Sequence, residues 1–407
     1  MPRGPAAALA ALHLSERRVP DLSDAEWRAA LDFCDSAHLT LALREAARES
    51  MPAWARERVD GNARRNIERV RSAEALYRTI HERLTARGIE FLAIKGLTHC
   101  PDFTPRPELR VQYDIDLFVP AKDLEAARQA VLEMGFESFD GVEGFPTDHL
   151  PPLIRKTGWE WRGDFFDPEI PYSIELHHRF WNPDLERLPV EDVNAFWDRR
   201  TARELAGVSC RVLSRADALG YACLHVLKHV LRASTKPSHV YEVASFLRSR
   251  AGDEGFWKEW SGWHSRRFRA LQAVVFRLAR EWFGGDGGAT VDEEVAAIPR
   301  ATAGWFERFA ASPPASPFAG SKDELGLHLS LLESRRDGWP IIRRRLFPAR
   351  LPGPVDAVHI PERDLTVRRR MRKHGRYLAY VAARVRLHAM ALPRAAMAAA
   401  KWWWRAR

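Results

Sequence analysis

Cysteine is scarce in this 407-residue chain: Cys34, Cys100, Cys210 and Cys223 stand far apart with no CxxC spacing, which excludes a disulfide framework and a cysteine-built zinc module. No apolar run reaches the ~18 residues that a membrane-spanning helix needs. The apolar PAAALAALHL near the start runs into Ser15-Glu16-Arg17-Arg18 where a cleavage site would stand, so it reads as a short helix and not as a secretory signal. The cytoplasm is the compartment these features suit. The body of the chain also lacks a basic footprint. The net charge of +9 is concentrated in residues 341–407, with 17 Lys/Arg against 3 Asp/Glu, and the first 340 residues carry 46 against 51, a net of −5. Any argument for a nucleic acid or membrane partner rests on the tail alone. With 46% hydrophobic residues the chain has ample material for two or three cored domains.

The informative stretch is FLAIKGLTHCPDFTPRPELRVQYDIDLFVP, Phe91 to Pro120. A short apolar run, Phe91 to Ile94, stops at Lys95-Gly96. A second run alternates, with Val111, Tyr113, Ile115, Leu117 and Val119 facing one way and Gln112, Asp114, Asp116 and Phe118 the other. Residues i and i+2 share a strand face, so the carboxylates of Asp114 and Asp116 lie side by side, about 6–7 Å apart at their Cα atoms. A solvated face is the plain alternative. Asp is depleted from strands, however, and two of them inside an Ile/Leu/Phe/Val run conflict with local propensity, as functional sites do. Clustered oxygen ligands suit Mg²⁺ or Mn²⁺.

The ordered set Lys95-Gly96, Arg110, Asp114-Ile115-Asp116-Leu117 and Val119 resembles the bacterial uncharacterised nucleotidyltransferase family of the polymerase-β-like superfamily, and the similarity extends on both sides of it. The resemblance implies a DxD strand holding two divalent ions and a glycine-containing turn that seats a nucleoside triphosphate at the start of a helix. Lys95, Gly96, Thr98 and Arg110 become nucleotide-binding candidates. The superfamily's serine after the turn glycine is replaced by Leu97, which leaves Thr98 as the nearest hydroxyl. Downstream, IELHHRF is similar to the family's strand ending in Leu-His. It supplies Glu175 as the third carboxylate of a two-metal site and His177 as a supporting group or weak base. Which of His177 and His178 points inward depends on strand register, and a solvated face carrying the Glu-His pair is the alternative.

The fold class expected is α+β, a small mixed-sheet nucleotidyltransferase core set between an N-terminal helical arm and a C-terminal helical region. Residues 1–88 read as the arm, 89–185 as the α/β core, 186–310 as a helical domain, 311–340 as a Pro/Ser linker and helix, and 341–407 as a basic tail. Within the arm a long helix from Trp54 to about Arg87 feeds the first strand, and Ser23 caps an earlier one. Asp123 to Met134 is a helix, and Phe136 to Phe139 a strand. Residues from 190 to 300 read as helical. In Arg215–Arg232 the sequence places His225, Lys228 and His229 in one turn; H-x-x-x-H lacks the adjacent Glu of a zinc hydrolase and any cysteine partner, so zinc is disfavoured, and phosphate contact from Lys228 or plain packing is preferred. Trp257, Trp260, Trp263, Trp282 and Trp305 read as core anchors. The tail carries Arg343-Arg344-Arg345-Leu346-Phe347-Pro348, similar to the family's Arg-Leu-Phe-Pro. Then come an extended piece from Leu351 to Pro361, a basic helix from Arg363 to Met390 interrupted after it by Pro393, and Lys401-Trp402-Trp403-Trp404-Arg405. Tryptophan beside Arg and Lys suits peripheral membrane contact, with nucleic acid or a solvated basic face as the other readings.

The function these features imply is transfer of a nucleoside monophosphate from an NTP to an acceptor hydroxyl with Mg²⁺ or Mn²⁺, catalysed by Asp114, Asp116 and Glu175, with Lys228 among the nucleotide contacts. A small molecule, peptide or protein acceptor is favoured over RNA, because the acidic body offers no basic groove. The alternative is a catalytically weak nucleotide-binding or interaction protein of the same fold.

Overall fold

The computed structural model describes residues 1–139, 147–310, 313, 323–347 and 366–405. The N-terminal region is helical, with α1 (Arg3–Leu12), α2 (Asp24–Ala37), α3 (Thr40–Ala47) and the 33-residue α4 (Ala53–Thr85). Helix α2 starts where the sequence says it must. The Ser23 side chain accepts from the Glu26 amide while the Glu26 carboxylate accepts from the Ser23 amide, a reciprocal cap that contributes about 1 kcal/mol. Helix α4 leads, through Gly88, into β1 (Leu92–Ile94).

Among the described residues seven strands form one mixed sheet. They are β1, β2 (Asp114–Phe118), β3 (Glu137–Ser138), β4 (Leu153–Ile154), β5 (Ser173–His177), β6 (Thr201–Leu205) and β7 (Val208–Val212), in the order β3-β4-β5-β2-β1-β7-β6. The central pairings are β1 antiparallel to β2, β2 parallel to β5, and β1 parallel to β7. Helix α5 (Leu124–Leu132) makes the crossover from β2. The hairpin β6–β7 lies in the stretch read as helical. Ala206 and Gly207, both at positive φ, form its tight turn, and five residues on either side pair in register. Between β5 and β6 runs one short helix, α6 (Pro183–Glu186).

The helical body comprises α7 (Arg215–Leu231), α8 (Pro237–Ser249), α9 (Glu254–Trp263), α10 (Arg266–Phe283), α11 (Ala289–Ala296) and α12 (Arg300–Phe309). Trp257, Trp260, Trp282 and Trp305 are buried in it as expected, whereas Trp263 is partly exposed and stacks under the Arg199 guanidinium. The linker read at 311–319 lies almost wholly outside the described residues, as does the extended piece from Leu351 to Pro361. Between them lie α13 (Glu324–Leu331) and α14 (Arg335–Leu346), and α15 (Val367–Arg405) follows. Pro393 does not end the tail helix, which continues through it. A mid-helix proline costs about 3 kcal/mol. Here the turns after it are alanine-rich and docked, because Ala395, Ala399 and Trp402 pack on Leu325, Leu329, Ile341 and Ile342 of α13 and α14.

The sheet separates two cores. Ile115, Leu117, Val119, Ala93, Ile174 and Leu176 pack with Tyr77, Ile80 and Leu84 of α4 and Ala127, Ala130 and Val131 of α5. On the opposite side Leu92 and Ile94, with Phe118 against them, join the core of α7, α8 and α10. The first three helices belong to that second core, since Leu12, Trp27, Leu31 and Leu43 share it with Leu227, Phe246 and Phe276. The polar residues of β2 and β5 therefore look into the seam between sheet and helical body.

Candidate active site

Two adjacent parallel strands carry the acids. In the β2–β5 register Asp114 pairs with Ser173, Asp116 with Glu175 and Phe118 with His177. Neighbours across a ladder point to one side, so Asp114, Asp116, Glu175 and His177 share the face toward the helical body. The same register answers which histidine turns inward. His177 is 1% exposed with its Nε2 2.8 Å from Asp116 Oδ1, and His178 lies on the other side of the strand. His177 Nε2 also lies 3.5 Å from Glu175 Oε2, and His149 Nε2 approaches that same oxygen at 3.7 Å. One atom each from Asp116, Glu175 and His177 falls within 4.8 Å of the other two.

The turn after β1 completes the cluster. Lys95 and Gly96 both hold positive φ, 53° and 50°. For lysine this is a strained backbone, of the kind functional turns retain. A Cβ on Gly96 would stand 2.7 Å from the Gln112 amide nitrogen, and that nitrogen donates to the Asp114 carbonyl at 2.6 Å. Glycine here lets β2 and the turn close up. The strained turn aims Lys95 Nζ at Asp116 Oδ1, 2.6 Å away. The chain continues as a single 3-10 turn, Gly96–His99, and not as the longer helix expected from the sequence. So short a turn has almost no aligned dipole to offer an anion.

Burial pushes the Asp116 carboxyl up, but Lys95 and His177 outweigh it and hold the group well below the usual carboxylate range. Glu175 is likewise buried, yet its contact with His177 keeps it below its ordinary value. Asp114 differs. Burial and the charges of Asp116 and Glu175 raise its pKa, and among the described residues no donor meets its carboxylate. Three carboxylates thus converge, and Asp114 makes no direct ion pair among the described residues, although the charges of Lys95 and Arg110 reach it. A further positive charge is what the cluster lacks.

A family model described as uncharacterised nucleotidyltransferase matches residues 23–284, well over half of the chain. The chain belongs to that family. No curated protein and no solved structure matches it. The family match takes in α2 to α10 and the whole sheet, hence every residue of the acidic cluster. Helices α11 to α15 lie beyond it.

Nucleotidyltransferases generally use divalent metals, and the donor set here fits one: Asp116, Glu175 and His177 at mutual coordination distance, with Asp114 uncompensated beside them. Other residues named from the family's motif are already engaged. Arg110 makes its direct contact with Glu242: its Nε donates to Glu242 Oε1 at 2.7 Å, Glu242 also meets His99 Nδ1 at 3.0 Å, and the guanidinium charge still reaches Asp114 and works against the rise in its pKa. This clasp fastens the segment before β2 and the turn after β1 to α8. Thr98 Oγ1 donates back to the Lys95 carbonyl at 2.7 Å, so it shapes the turn. Lys228 is held by the buried Asp148 at 2.8 Å. Lys236, just before α8, carries no signal in the sequence. It is only partly exposed, its ammonium has no ion-pair partner among the described residues, and the charges of Asp114 and Glu175 act on it from across the seam. Asp148, His149 and Glu242 are equally unmarked, because no local spacing ties them to β2. Lys95 and Tyr221 also line a cavity of about 450 Å³ with Thr98, Phe103, Arg203 and Trp263, and none of the three carboxylates lines it.

Proposed function

We propose that this protein transfers a nucleoside monophosphate from an NTP to an acceptor hydroxyl at the seam between β2–β5 and the helical body. One observation carries the reading: three carboxylates on two paired strands, one of which, Asp114, makes no ion pair among the described residues. Asp114, Asp116 and Glu175 would hold Mg²⁺ or Mn²⁺. Bound there, such an ion neutralises charge on the phosphoryl oxygens and acidifies the acceptor hydroxyl. The chain's own side chains position and relay. Lys236 gives the triphosphate an unpaired ammonium, while Lys95 and Gly96 shape the floor beneath it. The acceptor oxygen attacks the α-phosphorus in line, the bond to the β-phosphate oxygen breaks, and pyrophosphate leaves. The acceptor's proton passes to Glu175, whose oxygen has His177 and His149 at 3.5 and 3.7 Å to take it onward. The acceptor is a small molecule, peptide or protein, and the unpaired cysteines suit the reducing cytoplasm.

The test is incubation of the protein with each NTP labelled at the α-phosphate, Mg²⁺ or Mn²⁺, and cell extract, beside Asp114→Asn. Label transferred by the wild type and not by the variant supports the proposal. A second reading, nucleotide binding without turnover, draws on the fact that Asp116 Oδ1 is already taken by both Lys95 and His177. Metal-dependent NTP binding with no label transferred in any extract would favour it.

The tail has its own surface. No described helix is long and apolar enough to cross a membrane. Helix α15 nevertheless exposes Met371, Leu378 and Val385 at seven-residue intervals among arginines, and ends with Trp403 and Trp404 exposed beside the docked Trp402. This pattern supports contact with an anionic membrane surface. Co-sedimentation with phosphatidylserine vesicles that persists when Arg368, Arg369 and Arg370 are changed to Glu would count against it.

A further inference from the structure

The H-x-x-x-H pair of α7 has a partner that the sequence spacing does not show. His225 and His229 lie one turn apart on α7, and His239, near the start of α8, closes against both. Ring centroids are 4.6 Å apart for His225–His229, 4.8 Å for His225–His239 and 5.7 Å for His229–His239. One nitrogen from each ring lies within 4.8 Å of the other two. We propose that His225, His229 and His239 form a second metal site, separate from the carboxylate cluster and specific for an imidazole-preferring divalent ion of the zinc and cobalt class.

Two features beyond proximity point to an ion. The loop between the helices, with Ala233 at positive φ, brings Ser234 Oγ to 3.0 Å from His229 Nδ1 and 3.4 Å from the His229 carbonyl. With the hydroxyl donating to that carbonyl, Nδ1–H donates to the hydroxyl, and Nε2 keeps its lone pair. Ligating histidines are oriented by such outer hydrogen bonds. His225 Nδ1 and His239 Nδ1 are buried and meet no hydrogen-bond partner among the described residues, so no internal polar contact holds these nitrogens.

The donor set decides the ion. It holds nitrogen and no oxygen, which rejects Mg²⁺ and suits Zn²⁺ or Co²⁺. Two donors come from successive turns of one helix and the third from the helix packed on it, so the site is rigid before the ion arrives. Three neutral ligands leave the full double charge and an open position, which takes water or an anionic oxygen.

The experiment uses the full chain stripped with chelator and titrated with Co²⁺. The expected result is one equivalent giving the visible ligand-field bands of a nitrogen-ligated ion, displaced by Zn²⁺ and untouched by millimolar Mg²⁺. His239→Gln and His225→Gln should each weaken binding at least tenfold. Ser234→Ala should weaken it about tenfold, as loss of an outer hydrogen bond does. Asp114→Asn should leave the bands intact, which separates this site from the carboxylates. Absence of bands in the wild type would overturn the proposal. So would bands that survive both glutamine variants, or bands lost in Asp114→Asn alone. Unchanged far-ultraviolet dichroism certifies each variant as folded, and Ser234→Ala carries the test should either glutamine variant fail that check.

Discussion

Replacing Lys95 by methionine isolates the electrostatics of the acidic cluster. The side chains of Lys95 and Asp116 are 10% and 2% exposed and meet at 2.6 Å. At that distance an effective dielectric of about 20 gives an attraction of about 6 kcal/mol. Methionine keeps much of the packing volume and avoids burying the ammonium, which returns part of this, and removal of one partner from a buried pair leaves a net loss of about 3–5 kcal/mol. The loss has a particular shape. Without Lys95, Asp116 keeps only His177 as a direct partner among the described residues, and an added cation gains what the ammonium no longer supplies. Urea unfolding followed by tryptophan fluorescence should therefore show Lys95→Met less stable than wild type by about 3–5 kcal/mol in EDTA. At Mg²⁺ a hundredfold above its dissociation constant about 2.7 kcal/mol should return. The wild type should gain less at the same concentration, since its ammonium competes for the same oxygen. A variant as stable as wild type in EDTA, or one gaining no more than wild type from Mg²⁺, would refute the reasoning.

Gly96→Ala should destabilise by about 1–2 kcal/mol from the positive φ alone, and its Cβ should push Gln112 off the Asp114 carbonyl; a Mg²⁺ titration should read weaker binding, and unchanged affinity would show that the turn does not position Asp114. Arg69 is buried and donates to the carbonyls of Asp167, Ile170 and Gln112 at 3.0, 3.0 and 2.9 Å, between Tyr113 and Tyr172. Arg69→Met strands three acceptors and should cost about 3 kcal/mol or more in urea unfolding. Asp217 is fully buried and held by Arg199 at 2.6 and 2.9 Å, by Ser214 and by His264; burial raises its pKa, but these partners outweigh it and hold it below the usual carboxylate value. A depressed folded value means stabilisation that is complete above the unfolded pKa near 4 and is lost as pH falls below it. Asp217→Asn should cost about 3 kcal/mol at pH 7, and the gap between variant and wild type should narrow from about pH 4 downward; a constant gap would show that the carboxylate's charge is not what stabilises.

Several structural features are legible in the residues themselves. Alternation from Val111 to Val119 gives the strand and the shared face of Asp114 and Asp116, and IELHH gives the strand of Glu175, because a two-residue period needs no tertiary context. Ser23 with Glu26 marks the start of α2, and Lys95-Gly96 marks a turn. Local rules misread other places, two of them instructive. The TARELAGVSCRV hairpin is short and rich in helix-compatible residues, and it becomes a strand pair through edge pairing with β1. Pro393 reads as a stop, but packing of Ala395, Ala399 and Trp402 outweighs its cost.

What the sequence determined by itself is therefore the kind of chemistry: two carboxylates on one strand, a third on another, a lysine at a glycine turn, and a basic tail set apart from an acidic body. What only the tertiary structure decided is which charges meet. Parallel pairing of β2 with β5 places Asp116 beside Glu175 and turns His177 inward. The strained turn commits Lys95 to Asp116, α8 draws Arg110 to Glu242 and brings His239 to His225 and His229, and Asp114 is left without an ion-pair partner among the described residues. Periodicity fixes the direction of a side chain along its own element. The charge it meets is fixed by a distant element, 61 residues away for Asp116 with His177 and 132 for Arg110 with Glu242, through the packing of two cores on opposite faces of one sheet.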